Sequence, residues 1–327
     1  MTAARAEPGA ERPGRGESER APFRKRLKRA LRYPLVRLGL ALAAALPFHF
    51  ALSFGAWLGR VAYRLVGSQR RLALEHLAIA FPEKSLDERA AIARACFEEL
   101  GRSGLEACQA AKIDVRSYVA WPEADIAEIR RGLAEGRGGL FVTGHVGNWE
   151  LLARRIVAEG FDHAVVVRES GDPRLASLVE RFRSAGGVRT VGRGSGSGPL
   201  REMLSAFKRG ALLGLLIDQD TRVQGQRVPF FGRPAHTPRA AEDLALRTGA
   251  PVFVGFIHRE AGQGHRLHTE RLPVPPDCKE SELTARLTAR IEAEIRAQPR
   301  DWVWMHRRWK RGGDNMQAFE NTTSIAS

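Results

Sequence analysis

The chain has 327 residues, enough for one large α/β domain or two smaller ones, and carries 52 Lys+Arg against 37 Asp+Glu for a formal net charge of +15. That basic surplus concentrates anionic partners, whether nucleic acid, anionic lipid or an acidic carrier protein. Its three cysteines (Cys96, Cys108, Cys278) stand far apart without C-x-x-C spacing, which argues against a zinc site or disulfide framework and suits a reducing compartment.

Residues 1–35 read as a disordered basic tail: the first twenty are rich in Gly, Pro, Arg and Glu with no aromatic residue, and Arg24–Arg32 is densely cationic. Residues 36–66 read as a membrane anchor. No formally charged residue occurs from Leu38 to Gly59, yet Pro47 divides the run into Leu38–Leu46, too short to span, and Phe48–Val66, which carries Arg60 and Arg64 on one helical face. A single span and a re-entrant or interfacial anchor both fit, and a buried helix pair of a soluble protein is the plainer alternative. The run starts too far in, and is too long, for a cleavable signal peptide. The basic stretch before it favours a cytoplasmic N-terminus against anionic headgroups.

Residues 67–312 read as the catalytic domain and 313–327 as a disordered tail. Gln69–Phe81 suits a short helix stopped at Pro82, and Ser85-Leu86-Asp87-Glu88 is a capping box opening a helix through Ala111, with Ile92, Cys96, Leu100, Gly104 and Leu105 along one stripe. Strands are then expected at 140–143, 164–167, 189–191, 212–217 and 252–257, with 266–272 as an edge strand. Helices are expected at 148–160, 172–185, 200–209, 240–248 and 281–297, with a flexible Gly/Ser loop at 192–198. This βαβ alternation predicts an α/β fold: a mostly parallel central sheet covered by helices, preceded by a membrane-associated helical segment.

The strongest chemical motif is Thr143-Gly144-His145-Val146-Gly147-Asn148-Trp149-Glu150, where a strand runs through a Gly-flanked turn into a helix. On a continuous helix His145 and Glu150 would diverge, but a break at Gly147 can bring the carboxylate under the ring. A carboxylate on one imidazole nitrogen fixes the tautomer and raises the basicity of the other. A capped helix start beside a satisfied histidine is the bland alternative. No G-x-S-x-G elbow occurs, and Arg193-Gly194-Ser195-Gly196 lacks the Lys-Ser/Thr of a P-loop.

The H-x-x-x-x-D/E pattern after an apolar strand resembles the lysophospholipid acyltransferase-like superfamily. The fuller His-Val-Gly-Asn-Trp-Glu looks like its lipid A secondary (lauroyl/myristoyl) acyltransferase branch. Similar text follows in order: Phe81-Pro82-Glu83 with Ser85 and Glu88, Val167-Arg168, Leu216–Asp220, Val228–Ala235, Thr248–Val252 and Trp302–Lys310, covering roughly residues 35–311. The chain departs from the branch at His76, where Asn is usual, and at Glu169–Asp172, where Asn-rich text is usual.

The resemblance implies an acyltransferase with His145 as general base and Glu150 as its orienting partner. The donor would be acyl carrier protein or acyl-CoA, the acceptor a lipid A precursor or another anionic lipid, and the setting the cytoplasmic face of the inner membrane. No cofactor or metal is implied. A non-catalytic lipid-binding scaffold is the second reading. Nucleic-acid binding finds no helix-turn-helix, RNP or zinc-finger signature.

Substrate-binding candidates are Asn148, Arg168, Asp218, Phe230, Phe231 and Arg307. Arg168 ends a strand and can serve the oxyanion, together with turn N–H groups near Gly147, or grip a phosphate; a solvated arginine is the alternative. Asp218 and Asp220 suit an Asx turn, with Mg²⁺ binding or assistance to the base as alternatives. Phe230 and Phe231, in an expected turn over Val228–Pro234, either line an acyl tunnel or pack in the core. Trp302–Lys310 suits either a membrane interface or packing on the sheet.

Overall fold

The computed structural model describes residues 23–168, 173–193, 197–260, 264–275 and 277–310. The expectations for 1–22, 169–172, 194–196 and 311–327 lie outside the described residues. The chain divides into two units, one ending at Leu42 and one starting at Ala43.

The first unit holds most of helix α1 (Phe23–Ala45). Residues 23–35, expected to be disordered, are helical: Leu, Ala, Arg and Lys are all strong helix formers, and a run of them overrides the repulsion of like charges.

In the second unit, Pro47 caps helix α2 (Phe48–Leu65), as the proline break implies. Helix α3 (Gly67–Ala80) ends before Pro82, and α4 (Leu86–Cys108) opens with the expected capping box. There Ser85 Oγ accepts the Glu88 N–H at 3.2 Å and Glu88 Oε2 accepts the Ser85 N–H at 2.7 Å. Helices α2 and α4 touch backbone to backbone. A Cβ on Gly59 would lie 2.2 Å from the Phe97 carbonyl oxygen, and one on Gly101 2.0 Å from that of Gly55. The inward stripe of α4 runs through Ala93, Cys96, Phe97 and Glu106 rather than through Gly104, which is exposed.

Next come α5 (Val115–Tyr118), β1 (Val119–Ala120) and α6 (Glu123–Leu133), none of them anticipated. The alternating region follows as read: β2 (Gly139–Thr143), α7 (Trp149–Ala158), β3 (His163–Arg168), α8 (Pro173–Ser184), β4 (Arg189–Arg193), α9 (Ser197–Lys208) and β5 (Leu212–Leu216). A hairpin of β6 (Gly225–Phe230) and β7 (Arg233–Pro238) replaces the simple turn expected there; its bend is at Phe231-Gly232, both with positive φ. Then come α10 (Ala240–Thr248), β8 (Val252–Glu260), β9 (Gly264–Leu272) and α11 (Glu282–Ala297).

Among the described residues, seven strands form one sheet in the order β1-β9-β8-β2-β5-β3-β4. Every pairing is parallel except β8–β9. Strand β9 is not the edge it was expected to be, because the two-residue β1 pairs along its far side. Side chains alternate between the faces. Leu140, Val142, Leu213, Leu215 and Val254 pack toward α9, α10 and α11 with Met203, Phe207, Leu244, Leu287 and Ile291. Phe141, Leu212, Phe253 and Ile257 pack the other way, on Ile126 and Ile129 of α6 and Leu151, Leu152 and Ile156 of α7.

Helix α2 buries Ala51, Gly55, Ala56 and Gly59 but leaves an aromatic ladder outside. Phe50 stacks on Phe54 at 6.0 Å and Phe54 on Trp57 at 5.4 Å, with Phe50 56% and Trp57 49% exposed. Among the described residues no helix is long and apolar enough to cross a membrane. Pro47 interrupts the uncharged run, and one face of its second half packs on α4.

Candidate active site

Strands β2 and β5 are parallel neighbours in register, Thr143 beside Leu216. His145 stands two residues beyond the end of β2 and Asp218 two residues beyond the end of β5. The same offset from paired positions brings both side chains to the carboxyl edge of the sheet, where open α/β sheets place their ligands. His145 Nδ1 lies 2.8 Å from Asp218 Oδ1, and the His145 backbone N–H donates to Asp218 Oδ2 at 2.8 Å. The Trp302 indole N–H donates to the same Oδ2 at 2.7 Å.

Burial alone would push the Asp218 carboxyl up. The facing His145 ring, the His145 N–H and the Trp302 indole outweigh it and hold the group down at about 2. Asp218 is thus a carboxylate at neutral pH, able only to accept, so Nδ1 of His145 carries the hydrogen. In the neutral ring Nε2 is then the lone-pair nitrogen, and among the described residues it has no hydrogen-bond partner. The Trp149 ring meets the imidazole edge-on at 5.0 Å.

Glu150 is not the partner of this ring. It pairs with Arg183 of α8, Nη2 to Oε1 at 2.5 Å and Nε to Oε2 at 3.1 Å. The reason is local. Asn148 caps α7 by accepting the Leu151 N–H at 3.2 Å, so Trp149 begins the helix and takes the side facing His145. One residue on, about 100° around the helix, Glu150 faces α8 instead.

The ring opens into a cleft of about 780 Å³ between α7, α8, β3 and β4. Ala153, Val165, Val167, Leu175, Val179 and Leu216 give it apolar walls; Glu150, Arg183, Gln219 and His306 add polar groups. Such a volume takes a long aliphatic chain or a drug-sized molecule.

Other expectations fare differently. Asn148 is buried, and both ends of its amide are engaged: Oδ1 caps α7 and Nδ2 donates to Glu106 at 2.8 Å. Glu106 is itself buried, gripped by both terminal nitrogens of Arg259 (2.6 and 2.8 Å) and by the Tyr118 hydroxyl (2.6 Å). Asn148 thus pins the start of α7 to the buried Glu106. Asp218, also buried, is the histidine's partner instead of a substrate contact.

Phe230 and Phe231 line no part of the cleft; they are core. Phe230 packs on Phe231 (4.9 Å) and Trp302 (5.6 Å), and Phe231 on Phe81 (5.6 Å). Trp302 and Trp304 are buried too, so the C-terminal tryptophans pack inward and do not form an interfacial belt. Arg307 is exposed, next in chain to the cleft residue His306. Arg168 ends β3 directly after cleft residues Val165–Val167; its side chain lies outside the described residues. Among the turn N–H groups offered for an oxyanion, that of Gly147 donates to the Asp301 carbonyl at 2.8 Å.

A histidine and a carboxylate at the carboxyl edge of a parallel sheet, opening on an apolar-walled cleft, form the candidate site of an α/β enzyme. The chain belongs to the bacterial lipid A biosynthesis acyltransferase family, whose model matches residues 21–311. It is an acyltransferase. It is 28% identical over 292 residues to the lipid A biosynthesis lauroyltransferase of Escherichia coli K12, covering 85% of this chain and 92% of that one. It is 26% identical over 288 residues to the palmitoleoyltransferase of the same strain, with the same coverage. It is also 28% identical over 190 residues to the phosphatidylinositol mannoside acyltransferase of Mycolicibacterium smegmatis, covering 57% of this chain and 61% of that one.

Proposed function

We propose that the protein transfers a fatty acyl chain from a carrier thioester, on acyl carrier protein or coenzyme A, to a hydroxyl of a lipid A precursor. The observation that carries this reading is the His145–Asp218 pair at the mouth of an apolar cleft. His145 Nε2 takes the hydroxyl proton as the alcohol oxygen attacks the thioester carbonyl. Asp218 holds the Nδ1–H tautomer and stabilises the imidazolium that forms. The proton then passes to the departing thiolate. No side chain is acylated. Arg168, by its position at the end of a cleft-lining strand, is our choice of donor to the developing oxyanion.

The acyl chain runs between α8 and the β3–β4 edge, past Val165, Leu175 and Val179. We place the enzyme on the cytoplasmic face of the inner membrane, with the α2 ladder Phe50–Phe54–Trp57 in the interfacial layer and Arg60 and Arg64 near anionic headgroups. The surplus of cationic residues suits both an acidic carrier and a phosphorylated acceptor. Likeness to an enzyme named for a mannosylated phospholipid keeps a second glycolipid acceptor in the test.

The experiment is direct. Purified protein is given C12, C14 and C16 chains on acyl carrier protein or coenzyme A, with either a lipid A precursor or a phosphatidylinositol mannoside, and products are weighed by mass spectrometry. The reading expects an acyl mass added to the lipid A precursor. Transfer to the mannoside alone would replace the acceptor, and no transfer to either would remove the reading.

A further inference from the structure

A second histidine sits behind the site in an unusual setting. His258, near the end of β8, has a carboxylate on each ring nitrogen: Asp301 Oδ2 at 2.6 Å from Nδ1 and Glu294 Oε1 at 2.5 Å from Nε2. Two carboxylates accept and do not donate, so both nitrogens must carry hydrogen and the ring is an imidazolium. The other charged groups around it are few. From β9, His268 stacks on the ring at 5.8 Å and reaches Glu294 Oε2 at 3.3 Å. From α11, Arg290 bonds the same oxygen at 2.8 Å and also pairs with Glu270. Beside Asp301, Arg300 lies 3.7 Å from its Oδ1. On β8 itself, Arg259 is engaged elsewhere, with Glu99 and Glu106.

The clamped Asp301 belongs to the segment that holds the catalytic turn. Its carbonyl accepts the Gly147 N–H at 2.8 Å, and the His145 carbonyl accepts the Val303 N–H at 3.3 Å. Val146 and Trp302 form an antiparallel bridge, and the Trp302 indole holds Asp218. Gly147 also abuts β8: a Cβ there would lie 1.8 Å from the carbonyl oxygen of Ile257, the residue before His258.

We propose that His258 is a positioning residue for acyl transfer, its imidazolium tying Glu294 to Asp301 so that residues 301–303 keep the His145 turn and the Asp218 carboxylate in register. Burial works against that charge, but the hydrogen bonds and charges of Asp301 and Glu294 raise the ring to about 9. The tie is therefore complete at neutral pH and loosens as pH rises through that value. When it loosens, one carboxylate faces a lone pair, residue 301 shifts, and the Trp302–Asp218–His145 chain loses its alignment. A displacement of about 1 Å at such a site lowers the rate by up to about 100-fold.

The kinetic arm of this idea rests on the acyl-transfer reading; the spectroscopic arm does not. Wild-type protein labelled with ¹⁵N at histidine and tryptophan is titrated by NMR from neutral to alkaline pH. The His258 ring should stay doubly protonated through neutrality and titrate near 9. The Trp302 indole N–H signal should move with the same midpoint. In parallel, kcat should fall with that midpoint while KM for the acyl donor stays level. In His258→Gln, kcat should drop about 10- to 100-fold and the alkaline limb vanish. A ring titrating in the ordinary imidazole range, a Trp302 signal indifferent to it, or His258→Gln with wild-type kcat and an intact limb would each overturn the proposal. The wild-type titration decides the matter even where the variant fails to fold or no acceptor lipid reacts.

Discussion

Replacing Asp218 by Asn tests the reading of the site with the smallest change in shape. The carboxylate accepts three hydrogen bonds: the His145 backbone N–H, the His145 ring and the Trp302 indole. An amide offers one acceptor oxygen and one NH₂. If the oxygen keeps the backbone N–H and indole on the Oδ2 side, the NH₂ faces Nδ1 and forces that nitrogen to be the acceptor. The hydrogen then moves to Nε2, and the nitrogen facing the cleft can no longer take a proton. An Asp→Asn change of this kind in a Ser-His-Asp triad lowers kcat by about 10⁴-fold through the wrong tautomer.

We expect about 10³- to 10⁴-fold here, read as acylated product per unit time with saturating donor and acceptor. Stability should fall too, by about 1–3 kcal/mol for one buried donor or acceptor left poorly paired. Thermal unfolding by circular dichroism separates that from the kinetic effect. The wild type should also lose stability in acid through this group. Its carboxyl is held at about 2 against an ordinary 3.8, so the folded state gains stability above the ordinary value and loses it as pH falls through about 2. If folded Asp218→Asn keeps a tenth or more of wild-type kcat, Asp218 does not set the tautomer of the base and the reasoning fails.

Three further outcomes follow from the same geometry. Glu150→Gln breaks the pair with Arg183 across the cleft, so it should raise KM for the acyl donor several-fold while lowering kcat less than Asp218→Asn does; equal losses would return Glu150 to the chemistry. Gly147→Ala puts a methyl 1.8 Å from the Ile257 carbonyl oxygen at a φ of 60°, and should destabilise the fold by about 3 kcal/mol or more, measured by urea unfolding; an unchanged midpoint would contradict the close approach. Phe50→Ser with Trp57→Ser should reduce binding to vesicles containing anionic lipid at least about tenfold without altering the unfolding temperature, since both side chains are largely exposed; undiminished sedimentation with vesicles would take the anchor away from this face.

The parallel sheet was legible because its strands are short apolar runs separated by amphipathic helices with glycine stops, and helix α10 begins and ends where its residues say. The Ser85–Glu88 capping box and the break at Pro47 were equally plain. What escaped notice was set by tertiary contact. Strand β1 has two residues and exists only by pairing with β9. The β6–β7 hairpin carries Pro229, Pro234 and Pro238, which disguise a strand, and it survives as a separate two-stranded sheet outside the main ladder.

His145 announced itself, whereas its partner Asp218 stood only as an alternative behind an Asx turn. Local spacing nominated Glu150, five residues away, whereas the sheet supplies Asp218, 73 residues away. The missed signal was positional: two parallel strands, each followed at the same offset by a polar side chain, must present those side chains together. The tryptophans left two readings open. Beside arginine and lysine they look interfacial, yet the indole N–H of Trp302 finds a buried carboxylate and that of Trp304 the Pro299 carbonyl, which lets both rings enter the core.

The central claim is that His145 draws the proton from a lipid hydroxyl as that oxygen takes the acyl chain directly from its carrier. It is tested by following two signals at once, acylated lipid and freed carrier thiol, in the wild type and in His145→Ala. The account expects the two to rise together, one for one, in the wild type, with no acyl mass on the protein when acceptor is withheld, and both to fall by at least about 100-fold in the folded variant. Acyl transfer by folded His145→Ala at a rate near that of the wild type would contradict it.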